Sequence, residues 1–213
     1  MKLHGFFRSG TSHRVRIALR LKGLEFEQAT IDLRADRHRQ PDFLELNPQG
    51  FVPVLQLGDG RTMTQSPAIL EWLEEVYPHP PLLPASPGDR ARVRALAAIV
   101  ACDIHPVNNR RILETLRHGF GADEAAVQAW CATWIADGFD AFEAQLAADG
   151  SRGRFCFGQT PTIADVVLVP QVESARRFAV DVARWPRIAA IDAACAGLDA
   201  FRLAAPNMQP DAG

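Results

Sequence analysis

The chain has little cysteine, and none of it is arranged in pairs. Cys102, Cys131, Cys156 and Cys195 contain no C-x-x-C spacing, so neither a disulfide framework nor a zinc site is expected. Cys102, Cys131 and Cys195 fall in apolar helical patterns and read as small core residues. Histidine is scarce too: six residues with no H-x-x-x-H spacing, which predicts no structural or catalytic metal. Long apolar runs are missing. A stretch such as Ala95 to Cys102 is far shorter than the ~18 residues of a membrane span, and Met1 to Gly10 lacks the core of a signal peptide. The expectation is a cytoplasmic protein with no membrane partner. Neither sign of charge dominates. With 23 basic and 25 acidic side chains the net charge is −2, so nothing global points to nucleic acid.

What is present is an ordinary globular composition. The 213 residues are 47% apolar and 23% charged, enough to bury a core in one large domain or two small ones. The charge is nonetheless uneven. Between Met1 and Gly23 lie Lys2, Arg8, Arg14, Arg16, Arg20 and Lys22, with no acidic residue. Two readings stand: a solvated helix face, or a local positive field that draws in small anions.

Strand and helix signals alternate over the first eighty residues. Leu3 to Phe7 is a short apolar run that ends in the polar loop Arg8-Ser9-Gly10-Thr11-Ser12. A helical pattern follows, with Val15, Ala18, Leu19 and Leu21 apolar, and Gly23 stops it. Phe26 to Leu33 alternates as a strand does. Val52 to Leu57 and Arg61 to Thr64 flank Gly58-Asp59-Gly60 as a hairpin. Ser66-Pro67 opens a helix through Val76, with Ser66 as N-cap. Prolines 78, 80, 81, 84 and 87 then form a breaker-rich stretch. Beyond it the patterns are helical: Asp89 to Leu116, kinked at Pro106, then Asp123 to Leu146, Ile163 to Phe178 and Pro186 to Arg202. Thr162-Ile163-Ala164-Asp165 resembles a capping box. The expected organisation is an α/β domain over 1–79, a linker over 80–88, and an all-helical domain over 89–213.

Five stretches have the residue types that carry chemistry. The loop Arg8 to His13 leads from a strand into a helix, whose first N–H groups attract anions. Ser9, Thr11 and Ser12 add hydroxyl donors there, a setting that lowers a thiol pKa; the same residues also serve as plain helix caps. Val52-Pro53 either is an ordinary trans bond or, if cis, turns the Val52 backbone outward to pair with a peptide ligand. Gln65 and Ser66 open a helix able to hold a carboxylate, and are also a common cap. His105-Pro106-Val107-Asn108-Asn109-Arg110-Arg111 places polar residues beside a proline kink. Arg176-Arg177, near a helix end, suits bidentate carboxylate binding and suits the helix dipole equally well.

Taken together, these stretches resemble the zeta-class glutathione transferases, and within them the maleylpyruvate isomerases. The likeness runs over essentially the whole chain. It is carried by Arg8-Ser9-Gly10-Thr11-Ser12-His13-Arg14-Val15-Arg16, Leu46-Asn47-Pro48-Gln49-Gly50, Gln65-Ser66-Pro67-Ala68-Ile69, Cys102 to Arg111, Ala164 to Val172 and Gln209-Pro210-Asp211. The resemblance implies a thioredoxin-like N-terminal domain, an all-helical C-terminal domain, glutathione as cofactor and a homodimer. It implies that Ser9, Gly10 and Thr11 face the sulfur, that the Val52 backbone pairs with the cysteinyl part, and that Gln65 and Ser66 hold the γ-glutamyl end. His38, His105, Asn109, Arg110 and Arg111 match positions that touch the tripeptide. Arg8, Arg110 and Arg177 match positions for the carboxylates of a dicarboxylate substrate, with Arg111 an alternative to Arg110. Many members read Ser-Ser-Cys where this chain has Ser9-Gly10-Thr11, so the sulfur must come from glutathione. The implied reaction is cis–trans isomerisation of maleylpyruvate to fumarylpyruvate; maleylacetoacetate isomerisation and general glutathione transfer are the alternatives.

Overall fold

The structure, a computed structural model, describes residues 1–148 and 153–212. It divides into two compact units, one formed by Met1–Leu82 together with the chain from Ala196 onward, the other by Leu83–Cys195. The break after Leu82 lies within the proline-rich stretch. The C-terminal assignment differs from the sequence reading, which placed everything after residue 89 in the helical half. Specific polar bonds draw the chain end to the first unit. Arg16 Nε donates to the Ala204 carbonyl (2.9 Å), and Gln28 Nε2 to Gln209 Oε1 (2.9 Å).

The first unit runs β1 (Lys2–Gly5), α1 (Gly10–Leu21), β2 (Glu27–Thr30), a 3₁₀ turn at Arg37–Arg39, α2 (Pro41–Leu46), β3 (Val54–Gln56), β4 (Thr62–Thr64) and α3 (Ser66–Val76). The sheet order is β2-β1-β3-β4. β1 pairs parallel with β2, Lys2 opposite Glu27. It pairs antiparallel with β3, Leu3 opposite Leu55, and β3 meets β4 as the expected hairpin. A parallel pair needs a crossover, and α1 is that crossover. α1 is buried all round from Ser12 to Leu19, with Val15, Ile17, Ala18 and Leu19 as its apolar members. Phe6, Phe43, Val52 and Val54 form a further apolar cluster.

The basic residues of α1 are not a solvated face. Arg14 and Arg16 are 2% and 1% exposed, and both are bonded. Arg14 reaches Ser66 Oγ (3.3 Å). Lys22 Nζ meets Glu74 Oε2 at 2.6 Å and the Pro80 carbonyl at 2.8 Å, and Glu74 also accepts from the Leu82 N–H (2.9 Å). Buried charges persist when they are paired and hydrogen-bonded in this way.

The second unit holds α4 (Pro87–Ala98), a π-helical turn at Ile99–Ile104, α5 (Arg110–Phe120), α6 (Glu124–Ala148), α7 (Ile163–Arg177), a 3₁₀ turn at Val182–Arg184 and α8 (Pro186–Ala196). In the first unit's C-terminal stretch follow α9 (Asp199–Arg202) and a 3₁₀ turn at Pro206–Met208. The long helix expected through residue 116 therefore gives way at Ile99, ahead of Pro106. In the π-helical turn the His105 N–H bonds back to the Val100 carbonyl (2.9 Å), and Ile104 seats against Gly138, where a Cβ would lie 2.3 Å from Ile104 Cγ1. The α7 capping box is present: buried Asp165 accepts from the Thr162 N–H (2.7 Å), the Thr162 hydroxyl (2.9 Å) and the Cys156 N–H (2.8 Å). All four cysteines are free thiols; Cys131, Cys156 and Cys195 are buried, but Cys102 is exposed rather than a core residue. No helix among the described residues is long and apolar enough to cross a membrane.

Candidate active site

The loop after β1 closes as a tight turn, with the Ser9 N–H bonded to the Phe6 carbonyl (3.0 Å). It then delivers Ser9 as the N-cap of α1, where Ser9 Oγ accepts from the Ser12 N–H (3.2 Å). The capping role and the anion-site role thus fall on one hydroxyl. Ser9 Oγ lies 2.9 Å from Thr11 Oγ1, and Thr11 Oγ1 donates to the Val52 carbonyl (2.9 Å). A hydroxyl has one proton to give. Thr11 spends its proton on Val52, so Ser9 must be the donor between the two. Ser9, Thr11 and Val52 form one polarised relay across the mouth of α1, with Gly10 as the first helical residue. The Val52–Pro53 bond is cis.

The neighbouring histidine and arginines are set by their surroundings. Burial, with Arg16 and Arg14 adding to it, lowers the His13 pKa from 6.5 to about 3, so the ring is neutral. Arg8 is exposed and its guanidinium lies 5.5 Å from the Phe7 ring centroid. Buried His38 sits in the 3₁₀ turn, and its carbonyl would lie 3.0 Å from a Cβ at Gly50, whose φ is +64°. Only glycine meets both demands.

The start of α3 differs from the sequence reading. Gln65, not Ser66, is the N-cap, and it stands at φ +66°, a region that is uncommon for side-chain-bearing residues and concentrated at ligand-binding positions. Ser66 is the first helical residue, and its hydroxyl accepts from Arg14. Gln65 Nε2 donates to Gln49 Oε1 (2.7 Å). Gln49 sits in a turn organised by Asn47, whose Oδ1 accepts from the Gln49 N–H (3.1 Å) and whose Nδ2 donates to the Phe51 carbonyl (2.8 Å). Gln49 and Arg14 were not singled out in sequence; the Asn47-Pro48-Gln49-Gly50 turn was the available signal.

In the second unit the polar stretch is anchored by α6. Trp130 Nε1 donates to the Val107 carbonyl (3.0 Å) and Asn108 Nδ2 to the Cys131 carbonyl (3.5 Å). His105 ends the π-helical turn, and Asn109 caps α5 by accepting from the Arg111 N–H (3.2 Å). Arg110, Glu114 and Arg117 share the half-buried face of α5 with buried Leu113, whereas Arg111 is on the exposed face. Arg110 is bonded to Glu114. At the end of α7, Arg176 pairs with Asp192 (2.6 Å), while Arg177 bonds Ser174 Oγ (3.0 Å) and lies over the Phe178 ring. Burial pushes the Cys131 thiol up to about 11 against the pull of Arg177 and Arg117. Arg117 gave no signal in sequence. No cluster of His, Cys, Asp and Glu among the described residues could hold a metal ion.

The residues fit a thiol tripeptide. Hydroxyl donors stand at the start of α1, and the first-turn N–H groups of α3 lie beside the constrained Gln65, a place for a carboxylate. Comparison with known proteins agrees. A family model described as the glutathione S-transferase N-terminal domain matches residues 8–76, and one for the C-terminal domain matches residues 61–201. A maleylpyruvate isomerase from a Ralstonia species is 64% identical over 211 residues, covering 99% of each chain. The holo structure of a maleylpyruvate isomerase, a bacterial zeta-class glutathione S-transferase, superposes with a TM-score of 0.98 at 62% identity over 100% of each chain. A maleylacetoacetate isomerase from Methylobacterium extorquens AM1, solved with malonate and glutathione, superposes at 0.96 with 39% identity, again over 100% of each chain. The chain belongs to the glutathione S-transferase family, in its zeta class.

Proposed function

We propose that the chain is a glutathione-dependent cis–trans isomerase that converts maleylpyruvate to fumarylpyruvate. The observation that carries this is the Ser9–Thr11–Val52 relay at the start of α1, a donor set for a sulfur anion with no cysteine of its own. The 64% identity to a protein named maleylpyruvate isomerase selects the substrate. Glutathione, when bound, supplies a sulfur nucleophile that adds reversibly across the maleyl double bond, so that the bond can rotate. Ser9 donates its hydroxyl proton toward the ionised sulfur, aided by the N–H groups of Gly10 and Thr11. Thr11 positions Ser9 and ties it to Val52, whose backbone is assigned to the cysteinyl part. Gln65 and Ser66, with Gln49 beside them, orient the γ-glutamyl end. His38, His105 and Asn109 are assigned further tripeptide contacts. Arg8, Arg110 and Arg177 are assigned to the substrate carboxylates and to the negative charge that develops in the reaction, which preorganised cations stabilise strongly. Burial favours Arg110 over Arg111, which faces solvent. The working form is proposed to be a cytoplasmic homodimer, its state to be read by light scattering.

The test follows maleylpyruvate by ultraviolet spectroscopy with and without glutathione while free thiol is titrated. The expected result is complete conversion to the fumaryl isomer at catalytic glutathione with no thiol consumed. Stoichiometric thiol loss, or conversion without glutathione, overturns the proposal. Maleylacetoacetate is run in parallel, because the Methylobacterium relative bears that substrate's name; a higher kcat/KM for it would reassign the substrate and keep the chemistry.

A further inference from the structure

The motif Gln209-Pro210-Asp211 has no role in the site proposed above, yet it lies against the loop that delivers Ser9. Asp211 Oδ2 accepts a hydrogen bond from the Phe7 N–H at 3.0 Å, across 204 residues of chain. Phe7 is the second residue of the turn closed by Ser9 N–H and Phe6 carbonyl. Arg16 holds the same turn from the other side, with Nη2 on the Phe7 carbonyl (2.9 Å) and Nη1 on the Phe6 carbonyl (3.4 Å), while its Nε is held by the Ala204 carbonyl (2.9 Å). The C-terminal stretch therefore grips the turn twice, directly through Asp211 and indirectly through Arg16. Gln209 fixes the stretch itself, its Nε2 donating to the carbonyls of Leu203 (3.0 Å) and Ala205 (2.7 Å).

We infer that Asp211 is a positioning residue: it clamps the Phe6–Ser9 turn so that the Ser9 hydroxyl is held ready at the start of α1. The physical reason is the entropy of a short polar loop. A turn closed by a single backbone bond samples alternatives, and each additional bond to an external anchor removes some of them. A hydroxyl aimed at a developing anion loses effect steeply with misplacement. The inference rests on the assignment of Ser9 to the sulfur, although the clamp itself consists of bonds within the chain.

The test compares wild type with Asp211→Ala and Asp211→Asn in the full chain. Amide hydrogen exchange over residues 6–9 is measured without glutathione. Asp211→Ala is expected to speed it about tenfold, the loss of one charge-assisted bond. It is also expected to raise the pH at which bound glutathione ionises, read by thiolate absorbance, and to lower kcat/KM about tenfold. Asp211→Asn keeps an oxygen acceptor in place and is expected to recover most of each loss. Unchanged exchange in Asp211→Ala overturns the clamp, even if activity falls. Faster exchange with an unmoved thiol titration overturns the role in catalysis. A wild-type protein that gives no thiolate signal refutes the glutathione assignment instead, and the exchange comparison still decides the clamp.

Discussion

Removing the Ser9 hydroxyl separates its two duties. In the structure Ser9 Oγ–H is spent on Thr11 and Ser9 Oγ accepts from Ser12. To serve a sulfur anion, the proton must swing away from Thr11. That forfeits a neutral hydrogen bond of about 0.5–1.5 kcal/mol and gains one to a charged acceptor of about 1.5–3 kcal/mol. The net of about 1–1.5 kcal/mol corresponds to a lowering of the thiol pKa by about one unit. A donor favours the ionised form, so its loss raises the pKa. Ser9→Ala is predicted to shift the acid limb of the kcat/KM–pH profile, and the thiolate absorbance titration, upward by about one unit. It should also cost about 1 kcal/mol of stability through the lost cap, a fall in Tm of about 2–4 °C for a chain of this size. Thr11→Val is predicted to behave differently. It leaves the Ser9 proton uncommitted, so the thiol pKa should stay put or fall by up to about one unit. The proton bookkeeping is refuted if Thr11→Val raises the titration as far as Ser9→Ala does, since Thr11 would then be the donor to sulfur.

Arg177→Ala is expected to raise KM for the diacid or lower kcat about 10²-fold while the Kd for glutathione, measured by calorimetry, is unchanged; equal loss of glutathione binding would remove Arg177 from the substrate role. Arg176→Ala, which breaks the bond to Asp192, should move stability and leave the diacid KM alone. Gly138→Ala should cost about 1–3 kcal/mol, because the new methyl overlaps Ile104; a thermal melt equal to wild type would show that the π-helical turn does not depend on that gap. His13 binds its proton only near pH 3 when folded but near 6.5 when unfolded. The unfolded chain therefore holds the extra proton between those values, and His13 should cost about 1.4 kcal/mol of stability for each unit that pH falls below 6.5. Chemical denaturation of His13→Asn from pH 7 to pH 5 should show a shallower slope than wild type, and an identical slope would contradict a buried neutral ring.

Much of the first unit was legible because its signals are local. The Gly58-Asp59-Gly60 turn announces the hairpin, and the polar loop after an apolar run announces the start of α1. What was not legible depends on partners far away in the chain. Arg16 reads as a surface charge until its acceptor appears at Ala204, and Asp211 is only part of a motif until it is seen on Phe7. The N-cap was placed one residue late because the positive φ of Gln65 is imposed by surrounding structure; no local preference favours it. The early end of α4 was missed for a similar reason. A bond to the fifth residue back leaves no compositional mark, and the space that admits Ile104 is supplied by Gly138, on α6. Among the candidate site residues, hydroxyls and arginines could be recognised by type, but the ion pairs of Arg176 with Asp192 and of Arg110 with Glu114 became visible only in the structure.

The commitments of the first helix bear on how the anion is held. Arg14 and Arg16 are bonded within the fold, Lys22 is paired with Glu74, and His13 is neutral. Lys22 is neutralised by its partner, whereas Arg14 and Arg16 bond neutral oxygens, keep their charge and depress the His13 pKa, so the basic run supplies its positive field from fixed, buried positions. The groups at the mouth of α1 are hydroxyls and backbone N–H groups, fixed dipoles whose effect acts over a bond length. Dissolved salt screens charge pairs separated by water over about a Debye length, ~10 Å at 0.1 M, and barely affects a direct hydrogen bond. Exposed Arg8 and Arg177 are the opposite case: in the substrate role proposed for them, their attraction for a diacid is screened. Raising ionic strength from about 0.01 M to about 1 M, where the Debye length falls from ~30 Å to ~3 Å, should increase KM for the diacid severalfold. It should leave the ionisation of bound glutathione nearly fixed. A thiol titration that moves upward with salt as strongly as the diacid KM would mean that mobile guanidiniums stabilise the sulfur, with Ser9 in a minor role.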